Sequence, residues 1–158
     1  MLFFYPLDFT FVCPTEIVGY DALYDKFKAA GAEVVGCSVD SVHAHLAYMR
    51  TPRSQAGVGE LKYPLLSDLN KDIIRAWDVV DSDGNKALRA TFIVDPDGIV
   101  QSATINNLSI GRNIDETYRL FRAAQHSREA GDVCQANWKE GDEGMQATLD
   151  GVKGVIGH

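Results

Sequence analysis

Two short apolar runs set the terms of the fold. The first is Met1-Leu2-Phe3-Phe4-Tyr5, and the second is AEVVGCSV at residues 32–39. Between them Ile17, Tyr20, Leu23, Tyr24 and Phe27 recur at helical spacing, and Gly31 supplies a stop. Strands joined through a helix run parallel. Parallel strands are covered on both faces, so they read as continuous apolar runs rather than alternating ones. The helix is expected to open at Cys13-Pro14-Thr15-Glu16, because proline suits the first helical position and an acidic side chain suits the first turn. Pro6 to Val12 then form the loop between strand and helix.

The remaining chain extends this unit. Asp40 or Ser41 is a candidate cap for a second helix through Arg50, which Pro52 ends. Pro52 to Lys62 reads as loop around Ala56-Gly57-Val58-Gly59, and Tyr63-Pro64-Leu65-Leu66 as a short strand. Asp68 is placed to cap a brief helix through Trp77. Residues 88–95 and 99–105 flank Asp95-Pro96-Asp97-Gly98, a hairpin turn sequence. Asn113 and Glu116 have capping-box spacing for a helix to about residue 129, and a glycine-rich tail without clear periodicity follows. A βαβ unit followed by ββα predicts an α/β, thioredoxin-like domain with a mixed central sheet and helices on both faces. The expected division is a domain over residues 1–130 and a tail over 131–158.

Composition narrows the function. The 158 residues are 46% hydrophobic and 23% charged, enough for one domain with a real core. A net charge of −7, without any basic run, argues against a nucleic-acid partner. No stretch is long enough to span a bilayer, and the first apolar run is too short for a signal-peptide core and has no basic leader. Three cysteines at wide spacing, with no CxxC pair, do not form a secreted disulfide framework. The expected location is the cytoplasm.

Cys13 carries the chemistry. A free thiol has a pKa of about 8.5 and is a weak nucleophile until it ionises. A helix N-terminus favours the ionised form through its dipole and its unsatisfied N–H groups. Thr10 is placed to offer a hydroxyl to the sulfur or to a substrate oxygen, and Pro6 to wall the site with apolar surface. The alternative is that Cys13 merely packs at a helix start. Dithiol exchange at one helix tip is excluded, because Glu16 stands where a CxxC motif has its second cysteine. A single thiolate suits attack on an electrophile such as a peroxide oxygen.

The string FYPLDFTFVCPTE resembles the active-site signature of the peroxiredoxins, in which Pro6, Thr10 and Cys13 take the motif positions. The resemblance runs on through VVGCSVDSVHAHLAY, YPLLSD, LRATFIVD, NNLSIGRNIDET and GDVCQANW, nearly the whole chain. It is strongest to the typical two-cysteine group, in particular the bacterial alkyl hydroperoxide reductase C-subunit type. The resemblance implies a thiol peroxidase acting on hydrogen peroxide and organic hydroperoxides, with Cys13 as peroxidatic cysteine. It implies that Thr10 binds the peroxide, Pro6 shields the sulfur, Arg89 lies against the thiolate, and Glu16 and Arg112 orient Arg89. Cys134 matches the resolving cysteine, although Gln135 replaces the usual proline. It is then expected to form a disulfide with Cys13 of another subunit, which thioredoxin or a flavoprotein disulfide reductase reopens. A homodimer is implied, and often a ring of five dimers, with no metal, haem or flavin. Cys37, in an apolar strand, is read as a core residue, and His43 and His45, two apart, as unsuited to a shared zinc site.

Two departures from the family carry expectations. Relatives have further strands before the segment matching MLFFYP, so an exposed edge strand is expected here. That edge motivates a rival reading as a holdase or redox scaffold, while a thiol-disulfide reductase is disfavoured by Glu16. The Ala56–Gly59 loop resembles the GGLG-type loop of relatives prone to overoxidation, yet the tail has no Tyr-Phe pair. Its glycines are expected to break any helix and leave it mobile, so that Cys134 intercepts the sulfenic acid early.

Overall fold

In the computed structural model, which describes residues 1–157, β1 (Leu2–Phe4) lies at the centre of a five-stranded sheet. It runs parallel to β2 (Val35–Ser38), with Phe3 opposite Gly36, and antiparallel to β4 (Arg89–Val94), with Phe3 opposite Thr91. β3 (Leu65–Ser67) continues the parallel half outside β2, and β5 (Val100–Asn106) pairs antiparallel with β4. The order is β3-β2-β1-β4-β5, a mixed thioredoxin-like sheet as the pattern predicted. β1 itself is paired on both sides, and the edges of the sheet are β3 and the largely exposed β5.

Alternation along β1 divides the core between two faces. Phe3 stacks on Tyr20 of α1 (Cys13–Ala29), with ring centroids 4.4 Å apart. Gly36 permits this, because a Cβ there would stand 2.7 Å from both Phe3 and Leu65. Phe4 points the other way, into a cluster with Cys37, Val79, Ala90, Phe92 and Ile74 of α3 (Asp72–Ala76). Helices therefore cover both faces.

Local chemistry sets the ends of these elements. Ser41, rather than Asp40, caps α2 (Val42–Arg50) by accepting from the Ala44 N–H at 3.2 Å. Asp68 does serve α3, its two carboxylate oxygens accepting from the N–H groups of Ile73 at 3.0 Å and Ile74 at 2.8 Å. In the Ala56–Gly59 loop, a Cβ on Gly57 would lie 2.1 Å from the Thr51 carbonyl oxygen, so only glycine fits that crossing.

The chain divides into two compact units, Met1–Ile114 and the residues from Asp115 onward, so the helix α4 (Ile114–Ala130) belongs with the tail rather than with the sheet domain. The tail is not structureless. Val133 and Met145 exchange two backbone hydrogen bonds at 2.9 Å. A final helix, α5 (Leu149–Ile156), is capped by the Thr148 hydroxyl on the Gly151 N–H at 3.1 Å. The expectation that Gly151 and Gly154 prevent a helix is thus corrected. The Thr148 cap offsets part of a glycine cost of about 1 kcal/mol each.

Candidate active site

α1 begins at Cys13, so its sulfur sits on the first turn of the helix, fully buried, with Pro14 inside that turn. No side chain caps this end; the Thr15 and Glu16 N–H groups turn back to the Val12 carbonyl at 3.0 and 3.3 Å, and Cys13 stands at the positive end of the helix.

Arg89, the first residue of β4, is also buried and reaches three groups. Its Nη1 donates to Cys13 Sγ at 3.3 Å and to Glu16 Oε2 at 2.9 Å, while Nε donates to the Leu108 carbonyl at 2.7 Å. Glu16, one turn after Cys13, also accepts from Arg112 at its backbone N–H, Nε and Nη2. Arg112 Nη1 ends on the Ala90 carbonyl at 2.8 Å, and its guanidinium lies 5.0 Å from the Phe3 ring centroid. Two buried guanidinium ions thus face one carboxylate. A thiolate at Cys13 brings the set to two positive and two negative charges, and a buried charge of this kind demands a partner.

A pocket opens above this group, lined by Pro6, Thr10, Phe11, Val12, Leu108 and Arg89, with Lys86 at its side. Lys86 is held by Asp81 at 2.6 Å. The Thr10 hydroxyl donates to the Leu7 carbonyl at 2.9 Å, which folds the loop back on itself and leaves the hydroxyl oxygen as an acceptor. Sequence-predicted residues Cys13, Thr10, Pro6, Arg89, Glu16 and Arg112 therefore come together in the first unit.

Cys134 stands in the second unit, half-buried, next to the Val133–Met145 pairing. Its thiol approaches the Ala123 carbonyl at 3.5 Å. Burial and the Asp132 carboxylate raise its pKa, against the pull of Arg119. Cys37 is a core thiol as expected: burial, then the charge of Asp68, pushes it up to about 12.

Sequence reasoning missed a second buried polar group behind the loop. His45 of α2 meets Asp8 at 2.8 Å and the Leu66 carbonyl at 3.0 Å, and the Tyr5 hydroxyl donates to Asp8 at 2.8 Å. The available signal was an aspartate inside an apolar loop, PLDFTF, and a histidine two residues from another that faces solvent.

Fold and site together define a thioredoxin-like domain built around one buried cysteine held by an arginine. Known proteins share the fold and much of the sequence. The model of the AhpC/TSA family matches residues 1–103, and that of the C-terminal domain of 1-Cys peroxiredoxin matches residues 123–158. A chloroplastic 2-Cys peroxiredoxin BAS1 of Hordeum vulgare is 48% identical over 97% of this chain and 73% of its own length. The reduced 2-Cys peroxiredoxin of Plasmodium vivax superposes with a TM-score of 0.96 at 45% identity, over 99% of this chain and 81% of that one. AhpC of Enterococcus faecalis gives 0.79 at 40% identity, over 85% and 79%. The chain belongs to the AhpC/TSA family and is a typical two-cysteine peroxiredoxin, a thiol-dependent peroxidase with redox-active cysteines.

Proposed function

We propose that Cys13 is the peroxidatic cysteine, that Cys134 resolves its oxidised form, and that hydrogen peroxide and small organic hydroperoxides are the substrates. The observation that carries this is the 3.3 Å approach of Arg89 Nη1 to Cys13 Sγ. The Cys13 thiolate attacks one peroxide oxygen. An S–O bond forms as the O–O bond breaks, and the departing oxygen leaves with the electron pair, taking a proton to become water or alcohol. Sulfur remains as a sulfenic acid. Arg89 supports negative charge first on sulfur and then on the leaving oxygen. Thr10, its own hydrogen given to Leu7, accepts the peroxide O–H and orients it. Pro6 excludes water from the sulfur, while Glu16 and Arg112 hold Arg89 in place.

In the second half of the cycle, Cys134 of the partner subunit attacks the sulfenic sulfur, and the S–S bond forms as water departs. A dithiol reductant, thioredoxin or a flavoprotein disulfide reductase, then reopens the disulfide by exchange. The working form is a homodimer, which five-fold assembly extends to a ring.

A non-reducing gel tests the scheme, with reduced protein taken before and after one equivalent of hydrogen peroxide. The expected result is a shift from monomer to dimer that both Cys13→Ser and Cys134→Ser abolish. In Cys134→Ser, dimedone labels Cys13. Peroxide consumption by Cys13→Ser at the wild-type rate would overturn the assignment.

A further inference from the structure

α2 presents two side chains, one turn apart, to the loop that carries Thr10. His45 is buried, with Nδ1 2.8 Å from Asp8 Oδ2 and Nε2 3.0 Å from the Leu66 carbonyl oxygen of β3. Tyr48, three residues on, lays its ring 4.5 Å from that of Phe9. Asp8 and Phe9 immediately precede Thr10.

The geometry fixes the charge of the ring. A carbonyl oxygen only accepts hydrogen bonds, and so does an ionised carboxylate. The Tyr5 hydroxyl donates to Asp8 Oδ1 at 2.8 Å, and an ionised Asp8 accepts at Oδ2 as well. Both ring nitrogens must then donate, which only the imidazolium does. A neutral ring would leave either Asp8 Oδ2 or the Leu66 carbonyl without its imidazole donor, at a cost of about 1–3 kcal/mol.

The groups facing the ring agree. They are Asp8 from the loop, Tyr5 from the end of β1 and Asp40 from the turn before α2. Burial alone would strip the proton. The hydrogen bond and charge of Asp8, with the Leu66 carbonyl and Asp40, outweigh it and raise the His45 pKa. Tyr5 is held far above its ordinary range by burial and then by Asp8, so it stays a hydroxyl.

Asp8 is gripped at its backbone as well, its N–H donating to Asp40 Oδ2 at 2.9 Å, an oxygen that also accepts from the Ser38 hydroxyl at 2.6 Å. Beyond it Phe9 adopts φ +53°, a left-handed conformation that a non-glycine residue keeps only where its surroundings impose it. Thr10 then folds back to Leu7.

We infer that His45 is a positioning residue for the peroxidase reaction: its imidazolium clamps Asp8, fixing the Phe9 turn and hence the place of Thr10 in the pocket, and the clamp opens when the ring loses its proton. The inference rests on the roles proposed for Cys13 and Thr10. A raised histidine pKa means the contribution is complete below the ordinary value of about 6.5 and is lost as pH rises through the folded value. Weakening therefore belongs on the alkaline side.

The test is the rate of Cys13 oxidation by hydrogen peroxide in the full chain, from about pH 6 to about pH 9, a span that brackets the histidine range. Wild type is expected to slow about tenfold across the His45 titration, within the roughly hundredfold that a 1 Å misplacement costs. His45→Gln has no proton to lose. It should be slow throughout, and its alkaline decline should vanish, as in Asp8→Asn. The ring is read separately by NMR in Cys13→Ser, where no thiol titrates at that position. A midpoint above about 6.5, falling back in Asp8→Asn, is expected. Superimposable pH profiles in wild type and His45→Gln overturn the inference, as does a His45 midpoint at or below 6.5. The NMR arm decides alone should His45→Gln misfold. A wild-type Cys13 unreactive at every pH overturns the peroxidase reading, and the NMR arm still shows whether the clamp exists.

Discussion

Glu16 and Arg112 stand 96 residues apart in the chain and share three hydrogen bonds, from the backbone N–H at 2.9 Å, Nε at 3.0 Å and Nη2 at 2.9 Å. Glu16 also holds Arg89, so it joins the start of α1 to the turn before α4 and to β4. Glu16→Gln leaves two buried guanidinium ions without their anion. Removing one partner of a buried pair costs about 3–5 kcal/mol. Urea unfolding should show that loss, and Cys13 oxidation should slow by at least about tenfold. Unchanged rates would refute the positioning role.

Arg89→Lys should fail to rescue activity. One ammonium cannot reach Cys13, Glu16 and Leu108 in the fork geometry that a guanidinium provides. Loss of a preorganised donor costs about 2.7–4 kcal/mol of transition-state stabilisation, so the second-order rate constant with hydrogen peroxide should fall about 100- to 1,000-fold. A Lys variant within a few fold of wild type would contradict this.

Thr10→Ser keeps the oxygen and the bond to Leu7, whereas Thr10→Val removes both. Stopped-flow rates should separate the two. Ser is expected to stay within a few fold of wild type, and Val to lose about 1–3 kcal/mol, roughly tenfold or more. Equal rates for Ser and Val would show that the hydroxyl is dispensable.

Cys37 should resist alkylation in the folded protein, since burial and Asp68 hold it as a thiol. Cys37→Ser is expected to cost about 1–3 kcal/mol of stability by placing a hydroxyl among Phe4, Ile74 and Phe92. Peroxide turnover should be unchanged. A loss of turnover in a folded variant would give Cys37 a role it lacks here.

The two glycines of α5 should respond in opposite ways. A Cβ on Gly154 meets nothing within 4 Å, whereas one on Gly151 would lie 2.2 Å from the Gln146 carbonyl oxygen. Gly154→Ala should stabilise the helix by about 0.5–1 kcal/mol, slowing amide exchange there roughly two- to fivefold. Gly151→Ala should speed it. Matching effects at both positions would argue against the Thr148-capped turn.

The sequence made local features plain. A cysteine and a proline opening a helix, an Asp-Pro-Asp-Gly hairpin and continuous apolar strands each follow from side chains near one another in the chain. The six residues brought together in the first unit were legible through a family motif, because Arg89 and Arg112 have no local mark of function. Three things escaped for physical reasons. The place of β1 depends on pairing with β4, nearly ninety residues away. α5 was hidden because two glycines outweighed the spacing of Leu149, Val152 and Ile156 behind a Thr148 cap. His45 read as unremarkable because its partners, Asp8 and Leu66, reach it only in the folded state.

The central position of β1 governs the order in which the Cys13 site is assembled. During synthesis the chain emerges from its N-terminus, so β1, α1, β2 and β3 are available long before β4. Until Arg89–Val94 arrive, one side of β1 is bare, and Cys13 lacks the guanidinium that β4 delivers. Cys13 and its arginine thus meet only when β1 gains its second neighbour, so one pairing event both completes the centre of the sheet and assembles the buried thiol site.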